Sequence, residues 1–281
     1  MNKLNLLGID FEDWYHPELI QRRLTNEKKE PKVIKGIQKI IELLRKNETT
    51  ATFFVVGELI EYKPELLDII LENGHEIGFH TMYHTKLDSI GCKERFDDEL
   101  KEFEKLSEGK SKGFRAPTFS LNYSTKWAID SLAENNYTYD SSIVPVKTSM
   151  YGIESKQISP YRISSDSIDQ NNKDGKIMEF PLLVTKVLGK KIPAAGGFYL
   201  RILPLKIISN AIKKYEKNEI PSTFYIHSWE LTPEYMPKIP LPLKDKFITY
   251  YNLEKTYSKM EKLLKTFRFS SFENFLSNNQ N

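Results

Sequence analysis

The chain has 281 residues, 40% hydrophobic and 28% charged, which is enough apolar material for one large core. Its 41 basic and 38 acidic residues leave a net charge of only +3, so binding of nucleic acid is not indicated. Its one cysteine, Cys92, excludes an internal disulfide.

The composition also bears on the cell compartment. The apolar stretch at the amino terminus is too short for the core of a signal peptide, and no stretch approaches the ~20 apolar residues of a membrane span. A single cysteine fits a reducing compartment. We therefore expect a cytoplasmic protein without a transmembrane segment, which is compatible with peripheral association with a membrane.

Short apolar runs alternate with segments of helical periodicity along the chain, as is typical of an α/β fold with parallel strands. A segment rich in Ser, Asp and Asn at 153–176 predicts a loop or short hairpin. We expect one domain over residues 1–281, a distorted (β/α) barrel of about seven strands with a helical segment at about 244–281. The predicted strands are 4–10, 51–56, 76–80, 113–116, 138–140, 178–183 and 223–228, and the predicted helices are 33–46, 64–73, 93–106, 124–134, 205–216 and 253–266.

Three carboxylates, Asp10, Glu12 and Asp13, lie within four residues where the first predicted strand ends. Charges of one sign this close repel each other unless a cation or an arginine offsets them. In a βα fold, the carboxyl ends of the strands are also where chemistry takes place. The segment is therefore a candidate site, and a solvated turn that caps a helix is the alternative.

His80 and His84 follow the third predicted strand and are four residues apart, so both can point to one side of a helical turn. With a carboxylate from Glu12 or Asp13, they would form a three-ligand site for a divalent cation. Three of the five histidines of the chain lie between residues 75 and 84, which favours a metal site over a chance pair. The third of them, His75, is interpreted as structural.

Two further strand ends carry an arginine and a histidine. Arg115 follows the fourth predicted strand, just before Pro117, and His227 ends the last one. An arginine that points into a barrel needs a carboxylate partner, and Asp10 is the natural one. A surface arginine and a satisfied core histidine are the alternatives.

Together these segments resemble the polysaccharide deacetylase superfamily, the carbohydrate esterases of family 4 with a NodB-homology domain. Segment 80–84 is similar to its His-Ser/Thr-x-x-His metal motif, 114–117 to its Arg-x-Pro motif and 225–227 to its Leu-x-His motif. Segments 10–16, 139–143 and 226–230 most resemble the branch associated with exopolysaccharide biosynthesis. That branch is related to a peptidoglycan-deacetylase-like and allantoinase-like group.

The first motif departs from the usual Thr-Phe-Asp-Asp of this family. Aligned on the Asp-x-Asp pattern of the peptidoglycan-type branch, Asp10 is the base and Glu12 is the metal ligand. Aligned on Asp-Asp instead, Asp13 is the ligand. Both alternatives remain open at the level of sequence.

The resemblance implies a metal-dependent hydrolase that removes acetyl groups from N-acetylated amino sugars of a glycan or glycan precursor. The implied cofactor is a divalent metal, Zn²⁺ first, with Co²⁺ or Ni²⁺ as alternatives. Asp10 would be the base and would be held by Arg115, and His227 would be the acid, kept charged by Asp140. A backbone N–H of residues 118–119 would help to stabilise the oxyanion.

Aromatic residues beside these motifs are candidates for stacking against sugar rings, with packing of the barrel top as the alternative. Two other functions stay open: an allantoinase-like hydrolase of a small cyclic amide, and a carbohydrate-binding protein of the same fold without activity. Retention of the base, the metal ligands and the acid favours an enzyme. The sequence does not specify the sugar, its length, the native metal or the oligomeric state. The candidate aromatic residues are Trp14, Phe119, Phe198 and Trp229.

Overall fold

The computed structural model describes residues 4–24 and 29–279, which form a mixed α/β fold. The strands of this part are β1 (Asn5–Phe11), β2 (Thr52–Val55), β3 (Glu76–Phe79), β4 (Gly113–Phe114), β5 (Tyr139–Asp140), β6 (Tyr161–Ile163), β7 (Ile177–Glu179), β8 (Val184–Val187), β9 (Lys190–Pro193), β10 (Thr223–His227) and β11 (Phe269–Ser270).

The α-helices of the same ranges are α1 (Glu18–Gln21), α2 (Ile37–Lys46), α3 (Gly57–Tyr62), α4 (Glu65–Glu72), α5 (Cys92–Leu106), α6 (Ala128–Glu134), α7 (Gly197–Ile202), α8 (Leu205–Lys217), α9 (Ser228–Leu231), α10 (Leu243–Tyr250), α11 (Thr256–Thr266) and α12 (Phe272–Asn279). Short 3₁₀ helices lie at Val33–Gly36, Pro117–Phe119, Pro233–Tyr235 and Leu253–Lys255. None of the helices described is long and apolar enough to cross a membrane.

A curled sheet forms the centre of the fold. Seven parallel strands follow one another in the order β10, β1, β2, β3, β4, β5 and β7, while β6 pairs antiparallel with β7 at one edge. Beyond β7, the N–H of Leu183 donates to Thr223 O at 3.0 Å, so the chain returns to β10 at the other edge. The predicted α/β fold, a distorted barrel of about seven strands, is confirmed.

Apolar side chains on both faces of the sheet explain why these segments form parallel strands. All seven residues of β1 are buried, because helices cover one face and the curled sheet encloses the other. α2 packs on the outer face through Ile37, Ile40, Ile41 and Leu44, which recur at helical spacing. The parallel arrangement places the carboxyl ends of β1, β3, β4 and β10 at the same end of the sheet.

The structure differs from the prediction mainly where strands are short. The segment 153–176, expected to be a loop or hairpin, contains β6, which pairs antiparallel with β7, and a hairpin of β8 and β9 follows β7. The strand expected over 178–183 ends at Glu179, and the helix expected over 124–134 begins at Ala128. From residue 243 onward the chain is mainly helical, and residues 280–281 of the predicted carboxyl-terminal segment lie outside the described part. A single domain over 1–281 stays a prediction.

Candidate active site

Four segments singled out in the sequence meet at the carboxyl ends of the parallel strands. Asp10 lies on β1 directly opposite His227 of β10, His80 follows β3 and Arg115 follows β4. Asp10, His80 and His227 line one cleft. The fold therefore brings together residues that are up to 217 positions apart in sequence.

Arg115 is completely buried and fixes the carboxylate of Asp10. Its Nη1 donates to Asp10 Oδ1 at 2.7 Å, while Nε and Nη2 donate to the backbone and side-chain oxygens of Ser141 at 2.9 and 2.8 Å. The guanidinium also lies 4.1 Å from the centre of the Phe54 ring. Gly8 on β1 leaves room for it, because a Cβ there would lie 2.4 Å from Nη1. A buried arginine with these partners holds Asp10 in one orientation.

Glu12, His80 and His84 form a candidate metal centre. Their ligand atoms all lie within 4.8 Å of one another and all three residues are buried. His80 Nδ1 lies 2.6 Å from the backbone oxygen of Arg115, so it donates to that oxygen and leaves Nε2 with a lone pair for a cation. Burial lowers the pKa of His80 to about 4, which keeps the imidazole in the neutral form that binds metals.

Of the two carboxylates that the sequence left open as a ligand, Glu12 lies with the histidines and Asp13 does not. Glu12 Oε2 is 2.6 Å from His84 Nε2. The oxygens of Asp13 accept the backbone N–H groups of Trp14 at 2.7 Å and of residues 32 and 33 at 2.6 and 2.7 Å. Asp13 thus supports the start of the helical segment at 33–46, and the alternative in which it is a ligand is corrected.

His227 faces the candidate metal centre from β10. Its Nδ1 lies 2.7 Å from Glu230 Oε2, and its Nε2 lies 3.8 Å from Glu12 Oε1. Burial lowers the pKa of His227, but the carboxylates of Glu230, Glu12 and Asp10 outweigh this and raise it to about 9. Its ring stacks on Trp229 with the ring centres 5.1 Å apart. At neutral pH this side chain can therefore carry the proton that an acid must donate.

Asp140, expected to be the carboxylate partner of His227, pairs elsewhere. It is buried beside Glu179, and burial raises the pKa of both carboxyl groups, that of Glu179 well above its ordinary value. A protonated Glu179 can donate a hydrogen bond to Asp140. Asp140 also accepts from Ser142 Oγ, which in turn accepts the N–H of Ala116 at 2.8 Å. The expected role of Asp140 is therefore wrong: it supports the backbone next to Arg115.

Sequence reasoning missed two residues of the site, Glu230 and Arg201. Arg201 is buried, and its Nε donates to Glu230 Oε1 at 2.7 Å. Its other nitrogens donate to the backbone oxygens of Ile248, Thr249 and Tyr251 at 2.6–3.0 Å. The spacing of Glu230 three residues after His227 was a usable signal. No sequence signal pointed to Arg201, because its hydrogen-bond partners are distant in sequence.

Three of the four candidate aromatic residues line the cleft: Phe119, Phe198 and Trp229. Trp229 also donates from Nε1 to Glu12 Oε1 at 2.8 Å, so it orients a candidate metal ligand. Trp14 is not among the cleft-lining residues of the described part. It packs beside the site, and its Nε1 donates to a backbone oxygen at 3.1 Å. Its expected role in substrate stacking is corrected to packing.

The backbone after Arg115 supplies a candidate oxyanion donor. Thr118 lines the cleft and has a left-handed backbone with φ of +53°. The N–H of Phe119 already donates to Ala116 O at 3.0 Å. Of the two positions expected from the sequence, Thr118 is therefore the better candidate.

Profiles of known families match nearly the whole chain beyond residue 32. Residues 33–139 match the polysaccharide deacetylase family, and residues 141–277 match a domain of unknown function (DUF3473). Residues 33–139 are therefore a NodB-type polysaccharide deacetylase domain of carbohydrate esterase family 4, and the resemblance seen in the sequence is confirmed. Enzymes of this family remove acetyl groups from N-acetylated sugars.

Individual relatives are distant or match only in part. A 45-residue segment is 44% identical to a peptidoglycan-N-acetylglucosamine deacetylase of Bacillus cereus and covers 16% of this chain and 21% of that protein. The chain spans 18–37% of the length of the first four curated relatives.

Two solved structures share the fold across almost the whole chain. A Mycobacterium smegmatis protein assigned as a polysaccharide deacetylase has a TM-score of 0.60 at 15% identity, over 99% of this chain and 91% of that one. Puue allantoinase has a TM-score of 0.55 at 12% identity, over 96% and 86%. At these identities the two likenesses establish the fold alone.

Proposed function

We propose that this protein is a divalent-metal-dependent deacetylase that removes the acetyl group from an N-acetylated amino sugar of a glycan or glycan precursor. One observation carries the proposal: the buried set of Glu12, His80 and His84 shares a cleft with a carboxylate, Asp10, that Arg115 holds in place. This combination supplies metal ligands and an oriented base at one point.

The residues present fit a divalent cation. Two imidazoles and one carboxylate leave open coordination positions, which suits Zn²⁺, with Co²⁺ and Ni²⁺ as alternatives. His80 donates a hydrogen bond to the backbone oxygen of Arg115, and Glu12 accepts one from Trp229, and these bonds orient both ligands. When bound, the cation would supply a Lewis acid that polarises the acyl carbonyl and lowers the pKa of water.

The protein's own groups account for the movement of protons in amide hydrolysis. Asp10 takes the proton of the attacking water, and the hydrogen bond from Arg115 holds that carboxylate in one orientation. The N–H of Thr118 donates to the developing oxyanion. His227, charged and held by Glu230, donates a proton to the departing sugar nitrogen, which would otherwise leave as an unstable anion.

An N-acetylated sugar is the preferred substrate class because the cleft presents aromatic rings at its wall. Phe119, Phe198 and Trp229 offer flat apolar faces of the kind on which sugar rings stack. The Bacillus cereus relative is named for the same chemistry on peptidoglycan N-acetylglucosamine. A small cyclic amide would use fewer of these rings.

The test is release of acetate from N-acetylglucosamine oligomers and from lipid-linked and nucleotide-linked N-acetyl sugars. Purified protein is stripped of metal and assayed alone and after addition of zinc, cobalt or nickel. We expect acetate release that requires the metal and is reduced at least about 10²-fold in Asp10→Asn. Stoichiometric metal binding without acetate from any sugar would overturn the proposal, and small cyclic amides would be assayed next.

A further inference from the structure

Large apolar side chains stand exposed along one side of α10 and just beyond its end. The exposed fractions are 87% for Leu243, 49% for Phe247 and 43% for Tyr251. Leu243 and Phe247 are four apart on the helix and therefore lie on the same side. The ring of Phe247 lies 4.6 Å from that of Tyr251, so the three form one continuous apolar strip, the α10 stripe. Exposed apolar strips of this kind mark interaction surfaces.

Lysines border the α10 stripe on both sides. At about 100° per residue, Lys244 lies about 100° to one side of Leu243 and Lys246 about 60° to the other. Both lysines are exposed. Asp245 lies on the opposite side of the helix, where its carboxylate is 3.9 Å from Arg23. An apolar strip flanked by cations is the pattern of a helix that lies in the interface of an anionic membrane.

The α10 stripe adjoins the mouth of the candidate active site. The ring of Phe247 lies 6.0 Å from that of Phe198, which lines the cleft. Ile248 and Thr249, the next two residues of the helix, line the cleft as well. The hydrogen bonds of Arg201 to the end of α10 fix this helix relative to Glu230. A surface that binds the stripe would therefore hold the cleft in a defined position.

We propose that the α10 stripe docks on an anionic lipid bilayer and presents the cleft to a glycan anchored in the same bilayer. The choice of substrate rests on the proposed function, but the docking itself does not. A second copy of this chain fits the stripe less well, because a two-fold contact would bring Lys244 and Lys246 of both copies together.

The docking is tested by co-sedimentation of the purified full chain with vesicles, without any glycan. Vesicles of phosphatidylcholine alone are compared with vesicles that contain about one third phosphatidylglycerol, at low salt and at high salt. We expect binding to the anionic vesicles only, weakened by salt because the lysine contribution is screened.

Variants of the stripe are compared with matched variants elsewhere. Leu243→Ser is expected to weaken partitioning about tenfold, since it removes an apolar side chain from the interface. Lys244→Gln with Lys246→Gln is expected to weaken it roughly thirtyfold, about fivefold per lysine. The controls are Leu188→Ser, at a side chain 99% exposed, and Lys213→Gln with Lys214→Gln on α8, and both should bind as the parent does.

Three outcomes would overturn the docking proposal: no binding to anionic vesicles, equal binding to neutral ones, or binding that the Leu243 and lysine variants leave unchanged. If light scattering shows a dimer of the parent chain and a monomer of Leu243→Ser, the α10 stripe is a contact between two copies of the chain instead. Acetate release from every N-acetyl sugar of the panel described above, lipid-linked sugars included, is measured on the same preparations. A chain that binds vesicles without releasing acetate contradicts only the proposed function, and the reverse result contradicts only the docking.

Discussion

Glu230 Oε2 lies 2.7 Å from Nδ1 of His227, and both residues belong to one short segment that joins β10 to α9. The first turn of α9 carries the carboxylate back toward the ring of the histidine. Arg201 holds the other oxygen of Glu230 at 2.7 Å. Glu230 therefore orients His227, the acid of the proposed reaction. Asp140, which was expected from the sequence to be the partner of His227, does not contact it.

Glu230→Gln tests this relationship. Loss of the negative charge next to Nδ1 should make His227 a poorer proton donor, so turnover of an N-acetyl amide should fall about 10²-fold or more. An aryl ester whose leaving group needs no proton should lose much less. The measurement is kcat on both substrates, with Glu234→Gln, an exposed change nearby, as the control. Equal losses on amide and ester would contradict a role through the acid.

The fold could be predicted from the sequence because its main strands are largely apolar runs. Residues 4–10 and 223–228 were expected to be strands and lie within a residue of β1 and β10. β6, β8, β9 and β11 were missed: β6, β8 and β9 each include an exposed charged side chain among their three or four residues, and β11 has only two residues. Their pairing depends on tertiary contacts, as for β11, which pairs with β1 across more than 260 residues.

The site was predictable where its chemistry required a residue type at a strand end, as for Asp10, His80 and Arg115. The carboxylate ligand of the candidate metal centre was not predictable, because both Glu12 and Asp13 fitted the sequence pattern. Glu12 rather than Asp13 lies with the histidines, because Asp13 Oδ2 accepts hydrogen bonds from the backbone N–H groups of residues 32 and 33. That contact bridges about twenty residues without a local pattern.

His80→Ala should abolish metal binding. A cation that binds only the folded protein stabilises it by about 2.7 kcal/mol at a free concentration of 100 times Kd. Zinc should therefore raise the melting temperature of the parent chain but not that of His80→Ala. The measurement is thermal unfolding with and without zinc, with stoichiometry from elemental analysis. A zinc-dependent shift of the same size in the variant would contradict the assignment of His80 as a ligand.

Asp10→Asn should separate chemistry from metal binding. The amide keeps the size of the carboxylate but cannot accept a proton, so acetate release should fall by about 10²- to 10⁴-fold. Because Asp10 lies outside the set of Glu12, His80 and His84, zinc should still raise the melting temperature. Asp130→Asn on α6 is the exposed control. If Asp10→Asn turned over the substrate as fast as the parent chain, the assignment of Asp10 as the base would be contradicted.

Glu76→Gln should change how stability depends on pH, because Glu76 is buried at the amino end of β3, away from the cleft. It accepts hydrogen bonds from Tyr139 and from the N–H of Glu273, and burial raises its pKa from 4.5 to about 7. The folded state therefore binds the proton more tightly than the unfolded state. This contribution to stability is complete below about pH 4.5 and is lost as the pH rises through about 7.

The loss amounts to roughly 3.5 kcal/mol at most, taken as ~1.4 kcal/mol per unit of pKa. Glutamine is neutral at every pH, so the variant should gain stability relative to the parent chain between pH 5 and pH 8. Urea unfolding at several pH values measures the difference, with Glu65→Gln on the exposed side of α4 as the control. A difference that does not change with pH would show that Glu76 does not titrate in this range.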